Sequence, residues 1–342
     1  MSLKNSSAKI KIPKLLEIKL RNKRINRIFR KFEKSFDLKE NFVVAVSGGP
    51  DSLALAFLAK IYSIKRKLKP KFIIIDHKLR PESSGETKIV KSILKKNLID
   101  AKILIWHGKK PLKNIQSFAR KKRYELLMNI CKSLSINHIV LGHHQDDLIE
   151  NFFIRLLRGS GLKGLISLDK KSTNNNINLW RPLLDLKKID LIFLAKYVFN
   201  FYLEDPSNEN VKFKRITIRK LIDELQVNGL DKDKFLKTIN NLKSSNKVVN
   251  FYVNKNLINN SFFDKKSNQT FLNKLFFLQS YEVIFRSLTE SIRLVGKKYY
   301  SVRGKKIDKI INLVEGNKKF RVTLGGCIIE KVNQTVIISR ES

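Results

Sequence analysis

The strongest constraint on the fold is a series of short apolar segments, each followed by a stretch of helical spacing. Asn41–Ser47 (NFVVAVS), Lys71–Asp76 (KFIIID), Ala101–Trp106 (AKILIW) and Ile136–Gly142 (INHIVLG) are continuously apolar rather than alternating. Between them, Ser52 to about Lys67, Glu82–Leu98, Ile115–Leu134 and Asp146–Arg158 have helical period. Strands buried on both faces read as continuous apolar runs, so the series predicts an α/β fold, a doubly wound parallel sheet with helices on both sides. Right-handed crossovers gather the loops after the strand C-termini at one edge, where such sheets bind ligands.

The alternation fades after about residue 185. Asp185 can cap a helix to about Phe199, and Glu204–Asn208 (EDPSN) reads as a polar turn. From Phe213 to about Gly296 the chain is basic and mostly of helical spacing. From Lys297 it turns to short strands and turns around Gly304, Gly316 and Gly325–Gly326. The expected divisions are a basic N-terminal extension (1–40), an α/β body (41–210), a smaller basic helical domain (211–296) and a compact α+β tail (297–342).

Of 342 residues, 70 are Lys or Arg and 30 are Asp or Glu, a formal net charge of +40. A field of that sign attracts polyanions, and nucleic acid is the expected partner class. Cys131 and Cys327 lie far apart and form neither a disulfide framework nor a paired-thiol motif. No apolar run reaches the ~18 residues that span a bilayer. Met1–Arg30 lacks the apolar stretch of a signal peptide and reads as a solvated basic arm. The expectation is a cytoplasmic chain without a membrane partner; the pattern leaves a homodimer open.

The sharpest local signal is Ser47-Gly48-Gly49-Pro50-Asp51-Ser52, set between a strand and a helix. Two glycines let the backbone approach a phosphate, and amides at a helix N-terminus make an anion cradle. Pro50 suits a first helical turn, where its missing N–H is not needed. The loop is not a Walker sequence, which needs G-x-x-x-x-G-K-[ST]. It has the pattern of the PP-loop, or ATP pyrophosphatase, class. That resemblance implies ATP as the nucleotide, with Ser47–Ser52 as its cradle and attack at the α-phosphate. Asp51 beside phosphates would be repulsive alone, so Mg²⁺ is expected, with Asp51 as a ligand.

A second constellation is His143, His144, Asp146, Asp147 and Glu150. Asp147 and Glu150 are i,i+3 and share a helix face. Clustered carboxylates in so basic a chain point to a bound cation, Mg²⁺ or a substrate ammonium. Carboxylates complementing the helix dipole are the simpler explanation for Asp146 and Asp147, and explain Glu150 less readily.

The chain from about residue 41 onward resembles the tRNA(Ile)-lysidine synthase family. The segments that carry this are VAVSGGPDSLAL (Val44–Leu55), IDHKLRPESSGE (Ile75–Glu86), ARKKRYELL (Ala119–Leu127), Gly142–Leu165, and RPLLDLKKID followed by EDPSNENVKFKRITIR. TLGGCIIEKVNQTVIISRE (Thr323–Glu341) resembles the C-terminal domain of longer members. Departures are Lys78 where the family usually has Gly, Asn151 where Thr is usual, and Ile216 where Asn is common. The resemblance implies an adenine nucleotide alpha-hydrolase-like fold, ATP and Mg²⁺ as cofactors, and L-lysine and isoleucine tRNA with a CAU anticodon as partners. It implies a catalytic set of Asp51, Asp147, Glu150 and Arg215, the last three also recognising lysine. It places Asp76 and His77 at the adenosine, His143 along the nucleotide site and Arg120 on a phosphate. Glu204–Asn208 with Arg215 and Arg219 is either a simple turn or an ordered loop over the site. Phe251, Phe262, Phe263, Phe271, Phe276 and Phe277 read as core rather than base-stacking platforms. The other readings are a different PP-loop tRNA-modifying enzyme, or an RNA-binding protein with a vestigial loop.

Overall fold

The computed structural model describes residues 12–108, 111, 115–174, 176–204, 214–297, 302, 304–316 and 319–341. The chain divides into two units, Met1–Leu236 and Lys237–Ser342.

Residues expected as a solvated arm form two helices, α1 (Lys14–Leu20) and α2 (Lys23–Ser35). The Asn22 side chain caps α2 by accepting from the amides of Arg24 and Ile25 at 3.0 and 3.2 Å. Ile25, Ile28, Phe29 and Phe32 recur three and four apart and are buried with Leu16, Phe36, Phe42 and Tyr62. The N-terminal segment therefore shares the core of the α/β body, and its basic residues occupy the opposite face. Burying each such side chain is worth about 1.5–3 kcal/mol, far more than solvating a flexible arm recovers.

The body follows the expected alternation: β1 (Val43–Val46), α3 (Pro50–Arg66), β2 (Lys71–Asp76), α4 (Ser83–Lys96), β3 (Ala101–Ile105), α5 (Ile115–Ser133), β4 (His138–Val140) and α6 (Gln145–Leu156). A short α7 (Leu162–Leu165), a hairpin of β5 (Lys171–Asn174) and β6 (Ile177–Trp180), and α8 (Lys188–Phe199) come next. The strand order is β3-β2-β1-β4-β6-β5. All neighbours are parallel except the β5–β6 pair, which was not anticipated from sequence. Val43 pairs with both Lys71 and Ile139, so β1 is central and the loop after it opens mid-edge. Helix α3 is buried on nearly every side, from Ser52 through Ala59 and again from Ile61 to Ser63, as an all-round apolar helix must be. Helix α9 (Lys214–Val227) completes the unit, and α10 (Lys232–Asn260) begins there.

The second unit contains most of α10, then β7 (Ser261–Asp264), β8 (Gln269–Leu272), α11 (Tyr281–Gly296), α12 (Gly304–Glu315), β9 (Arg321–Leu324), β10 (Cys327–Val332) and β11 (Thr335–Arg340). Its antiparallel sheet has the order β7-β8-β11-β10-β9. Leu272 of β8 pairs with Val336 of β11. The expected division at 296/297 therefore falls inside one sheet, and the stretch read as helical contains a hairpin. Helix α12 stands where turns were expected; Ile307, Ile310 and Ile311 give it a buried face. Phe276 is fully buried, but Phe251, Phe262 and Phe263 are exposed rather than core. Cys131 and Cys327 are buried free thiols. Among the described residues no helix is long and apolar enough to cross a membrane.

Candidate active site

The loop after β1 is shaped by two requirements on Gly48. Its φ is +90°, and a Cβ there would lie 2.6 Å from Val90 Cγ2 and 2.7 Å from Leu203 Cδ1. The Leu203 amide donates to the Gly48 carbonyl at 3.0 Å, tying the segment after α8 to this loop. Gly49 is the N-cap of α3 and Pro50 its first residue. The Ser52 hydroxyl accepts from the amides of Ser47 and Gly48, each at 3.1 Å, and donates to the Gly49 carbonyl at 3.0 Å. It folds the loop on itself, and the first-turn amides of α3 remain as helix-end donors.

The end of β4 lies directly on the start of α3. A Cβ at Gly142 would stand 3.4 Å from the Asp51 carbonyl group and the Ser52 nitrogen. The next two residues therefore reach Asp51. His144 caps α6: its Nδ1 accepts from the Asp146 amide at 3.2 Å, while its own amide donates to Asp147 Oδ2 at 2.8 Å. With Nδ1 accepting, the ring proton sits on Nε2, which is 3.5 Å from Asp51 Oδ2 and 3.7 Å from Asp147 Oδ2. The phosphate loop and the acidic helix, separate in sequence, thus meet across one imidazole.

Burial divides the three carboxylates. It pushes the Asp51 carboxyl up, and the charge of Asp147 adds to this against His144, Lys188 and Arg219. For Asp147 burial also opposes ionisation, but His144, His143, the His144 amide and Arg215 outweigh it and hold the group below the usual range. Glu150 is pushed up by burial although Arg219 Nε donates to its Oε1 at 2.6 Å. One turn of α6 therefore carries a carboxylate kept ionised and another with raised proton affinity.

Burial lowers both His143 and His77 to about 4, so both rings are neutral near pH 7. Arg181, Arg120 and Arg215 also act on His143, while Arg123 rather than Arg120 acts on His77. Asp76 is a loop tie: its carboxylate accepts from the Ser83 hydroxyl at 2.8 Å, the Ser84 hydroxyl at 2.5 Å and the Lys78 amide at 2.9 Å. Lys78 sits at φ +48°, a left-handed conformation suited to Gly.

Asp51, His143, Asp147 and Glu150 are brought together, and Arg215 acts on the last three of them from an exposed position. Of the polar turn, Asp205, Pro206, Ser207 and Asn208 lie outside the described residues. Arg181 and Lys188 were not singled out from sequence; His144 was grouped with the acidic constellation and Arg219 with the loop after α8, but neither was given a role at Asp51 or Glu150. Arg219 is four residues beyond Arg215 and so on the same face of α9, a signal available from spacing alone. A cavity of about 160 Å³ next to Glu150 is lined also by Asp146, Lys188, Arg219, Asp223 and Lys232.

A parallel sheet with this glycine loop at its central strand defines a PP-loop nucleotide-binding domain, and residues 20–225 match the PP-loop domain family ATP_bind_3. The tRNA(Ile)-lysidine synthase of the Wolbachia strain of Brugia malayi is 33% identical over 325 residues, covering 92% of this chain and 74% of that protein. The tRNA(Ile)-lysidine synthase of Orientia tsutsugamushi is 34% identical over 320 residues, covering 90% and 71%. The chain belongs to the tRNA(Ile)-lysidine synthase family. Among solved structures, the U34-tRNA thiolase NcsA of Methanococcus maripaludis with its 4Fe-4S cluster superposes with a TM-score of 0.54 at 17% identity. It covers 64% of this chain and 78% of that one, a likeness of fold alone.

Proposed function

We propose that this chain joins L-lysine to the wobble cytidine of isoleucine tRNA with a CAU anticodon, consuming ATP and releasing AMP and pyrophosphate, in the cytoplasm. The observation that carries the reading is a set of buried polar atoms at the strand edge without hydrogen-bond partners: Asp51 Oδ1, both His77 nitrogens, His143 Nδ1 and Glu150 Oε2. Each orphaned group costs about 1–3 kcal/mol, so a ligand that meets several is strongly favoured there.

Asp51 fits a hard cation, offering one unpartnered carboxylate oxygen beside the phosphate loop. Among the described residues no cluster of three or more acidic, His or Cys side chains forms a metal cage. Phosphate and water oxygens would complete the shell of Mg²⁺. Bound there, the ion would withdraw charge from the phosphate oxygens.

The base's carbonyl oxygen forms a bond to the α-phosphorus as the bond to pyrophosphate breaks. The lysine ε-nitrogen then bonds to the activated ring carbon, and the carbon–oxygen bond to AMP breaks. Asp147, held ionised, suits the lysine ammonium. Attack needs a neutral amine, so one proton must leave first. Glu150, with its raised proton affinity and unpartnered Oε2, is the acceptor the pocket provides. His144 keeps Asp51 and Asp147 in a fixed relation, so both half-reactions use one geometry.

The test is incubation with ATP, labelled lysine and unmodified isoleucine tRNA. Lysine should enter the tRNA with release of one AMP per label. Folded, ATP-binding protein that leaves the tRNA unlabelled would remove the ligase reading and keep the fold.

A further inference from the structure

A second charged feature lies outside the site, along α2. Its buried face is Ile25, Ile28, Phe29 and Phe32; the opposite face presents Lys23, Arg27, Arg30, Lys31 and Lys34, all exposed. These line a groove of about 510 Å³ together with Arg21. The two nearby carboxylates are already engaged: Glu17 accepts from Arg21 at 3.2 Å and Glu33 from Lys65 at 2.8 Å. Among the described residues no carboxylate pairs with Lys23, Arg27, Arg30, Lys31 or Lys34. Five like charges on one helix face repel one another, and an isolated helix gains nothing from the arrangement. A polyanion laid along the face turns that repulsion into attraction and releases its counterions.

The first turn of α2 is tied to α8, the helix that also carries a residue of the cavity beside Glu150. Arg24 donates to Asp190 Oδ1 at 2.7 Å, in the first turn of α8. Two residues earlier, Lys188 lines the cavity beside Glu150. From Lys23 to Lys34 the helix rises roughly 17 Å, enough for several backbone phosphates. The apolar face of α2 is committed to the core, so the helix has no greasy side to insert into a membrane.

We propose that the outward face of α2 is a docking surface for the tRNA phosphate backbone, contacted through Lys23, Arg27, Arg30, Lys31 and Lys34 when the target base enters the active site. The proposal rests on the reading that the chain acts on tRNA. It assigns a place to the grip that net charge alone leaves spread over the whole surface.

The test compares the triple variant Arg27→Gln/Arg30→Gln/Lys31→Gln with a control of equal charge loss on α4, Lys91→Gln/Lys95→Gln/Lys96→Gln. All six side chains are exposed, so both should melt like wild type. Affinity for isoleucine tRNA is measured by filter binding across salt concentrations. In the α2 variant the dissociation constant should rise about tenfold at physiological salt, and the salt slope should fall by roughly 2–3, near one per lost contact. The KM for lysine and ATP should not move, nor should turnover at saturating tRNA. Single Arg30→Gln should lower the slope by roughly one. Unchanged affinity and slope in the triple variant would overturn the proposal, as would an equal loss in the α4 control. A loss seen only for anionic lipid vesicles would overturn it in favour of a membrane surface. The binding measurement decides for the surface by itself; a wild type that binds tRNA without transferring lysine strikes the catalytic reading alone.

Discussion

Replacing Arg219 by Met should destabilise the first unit in a pH-dependent way. Glu150 is 5% exposed at its side chain and Arg219 35%, with 2.6 Å between Nε and Oε1. Removing one partner of a fully buried pair costs about 3–5 kcal/mol, because the other charge is stranded. Water reaches the guanidinium, which lowers that figure to about 2 kcal/mol here. For a unit of this size the loss corresponds to roughly 4–8 °C in melting temperature. The sign of the pH dependence follows from Glu150. Burial already raises its carboxyl above the unfolded value, and Arg219 restrains that rise. Without Arg219 the folded state holds the proton more tightly, so the variant's stability is retained at low pH and lost as pH rises through the folded titration. Urea unfolding at pH 5 and pH 7.5 should show the larger deficit at pH 7.5. Adding Glu150→Gln removes the stranded charge, and the double variant should be more stable than Arg219→Met alone at pH 7.5. Equal deficits at both pH values, or a double variant no better than the single, would refute the claim that Glu150 is ionised, buried and held by Arg219.

Asp51→Asn should abolish lysine transfer yet leave the ligand-free protein at least as stable at pH 7.5. The carboxyl is raised by burial and has an unpartnered Oδ1, so its charge costs folding energy; a melting temperature well below wild type would contradict this. Because burial lowers His77 and His143 to about 4, ATP affinity should be flat from pH 6 to 8. A step near pH 6.5 that disappears in His143→Gln would show that the ring is not shielded as the structure places it.

The central sheet was readable because each of its first four strands is a continuous apolar run set between helical stretches. The docking of the N-terminal helices was not, because the stripe of Ile25, Ile28, Phe29 and Phe32 packs only where Phe42, Tyr62 and Trp180 are brought to it from other parts of the chain. The β5–β6 hairpin escaped because its strands, KSTN and INLW, are polar or interrupted by polar residues and lack the continuous apolar run of β1 and β4. In the second unit the β7–β8 hairpin was hidden for the same reason, and its partner strand β11 lies more than sixty residues away in the register Leu272↔Val336.

Composition, loop chemistry and helical spacing determined the α/β class, the nucleotide loop and the candidacy of Asp51, Asp147 and Glu150. Those are local properties: which backbone angles glycine permits, and which side chains share a helix face. Only the tertiary structure decided that Gly142 sets the acidic helix against the phosphate loop, that His144 stands between two carboxylates, and that Arg219 rather than Arg215 bonds Glu150. Burial and its neighbours also decided which carboxylate is held below its usual range and which is pushed above it. Desolvation and charge pairing depend on everything packed around a group, and neighbours brought from a hundred residues away leave no mark in the local sequence.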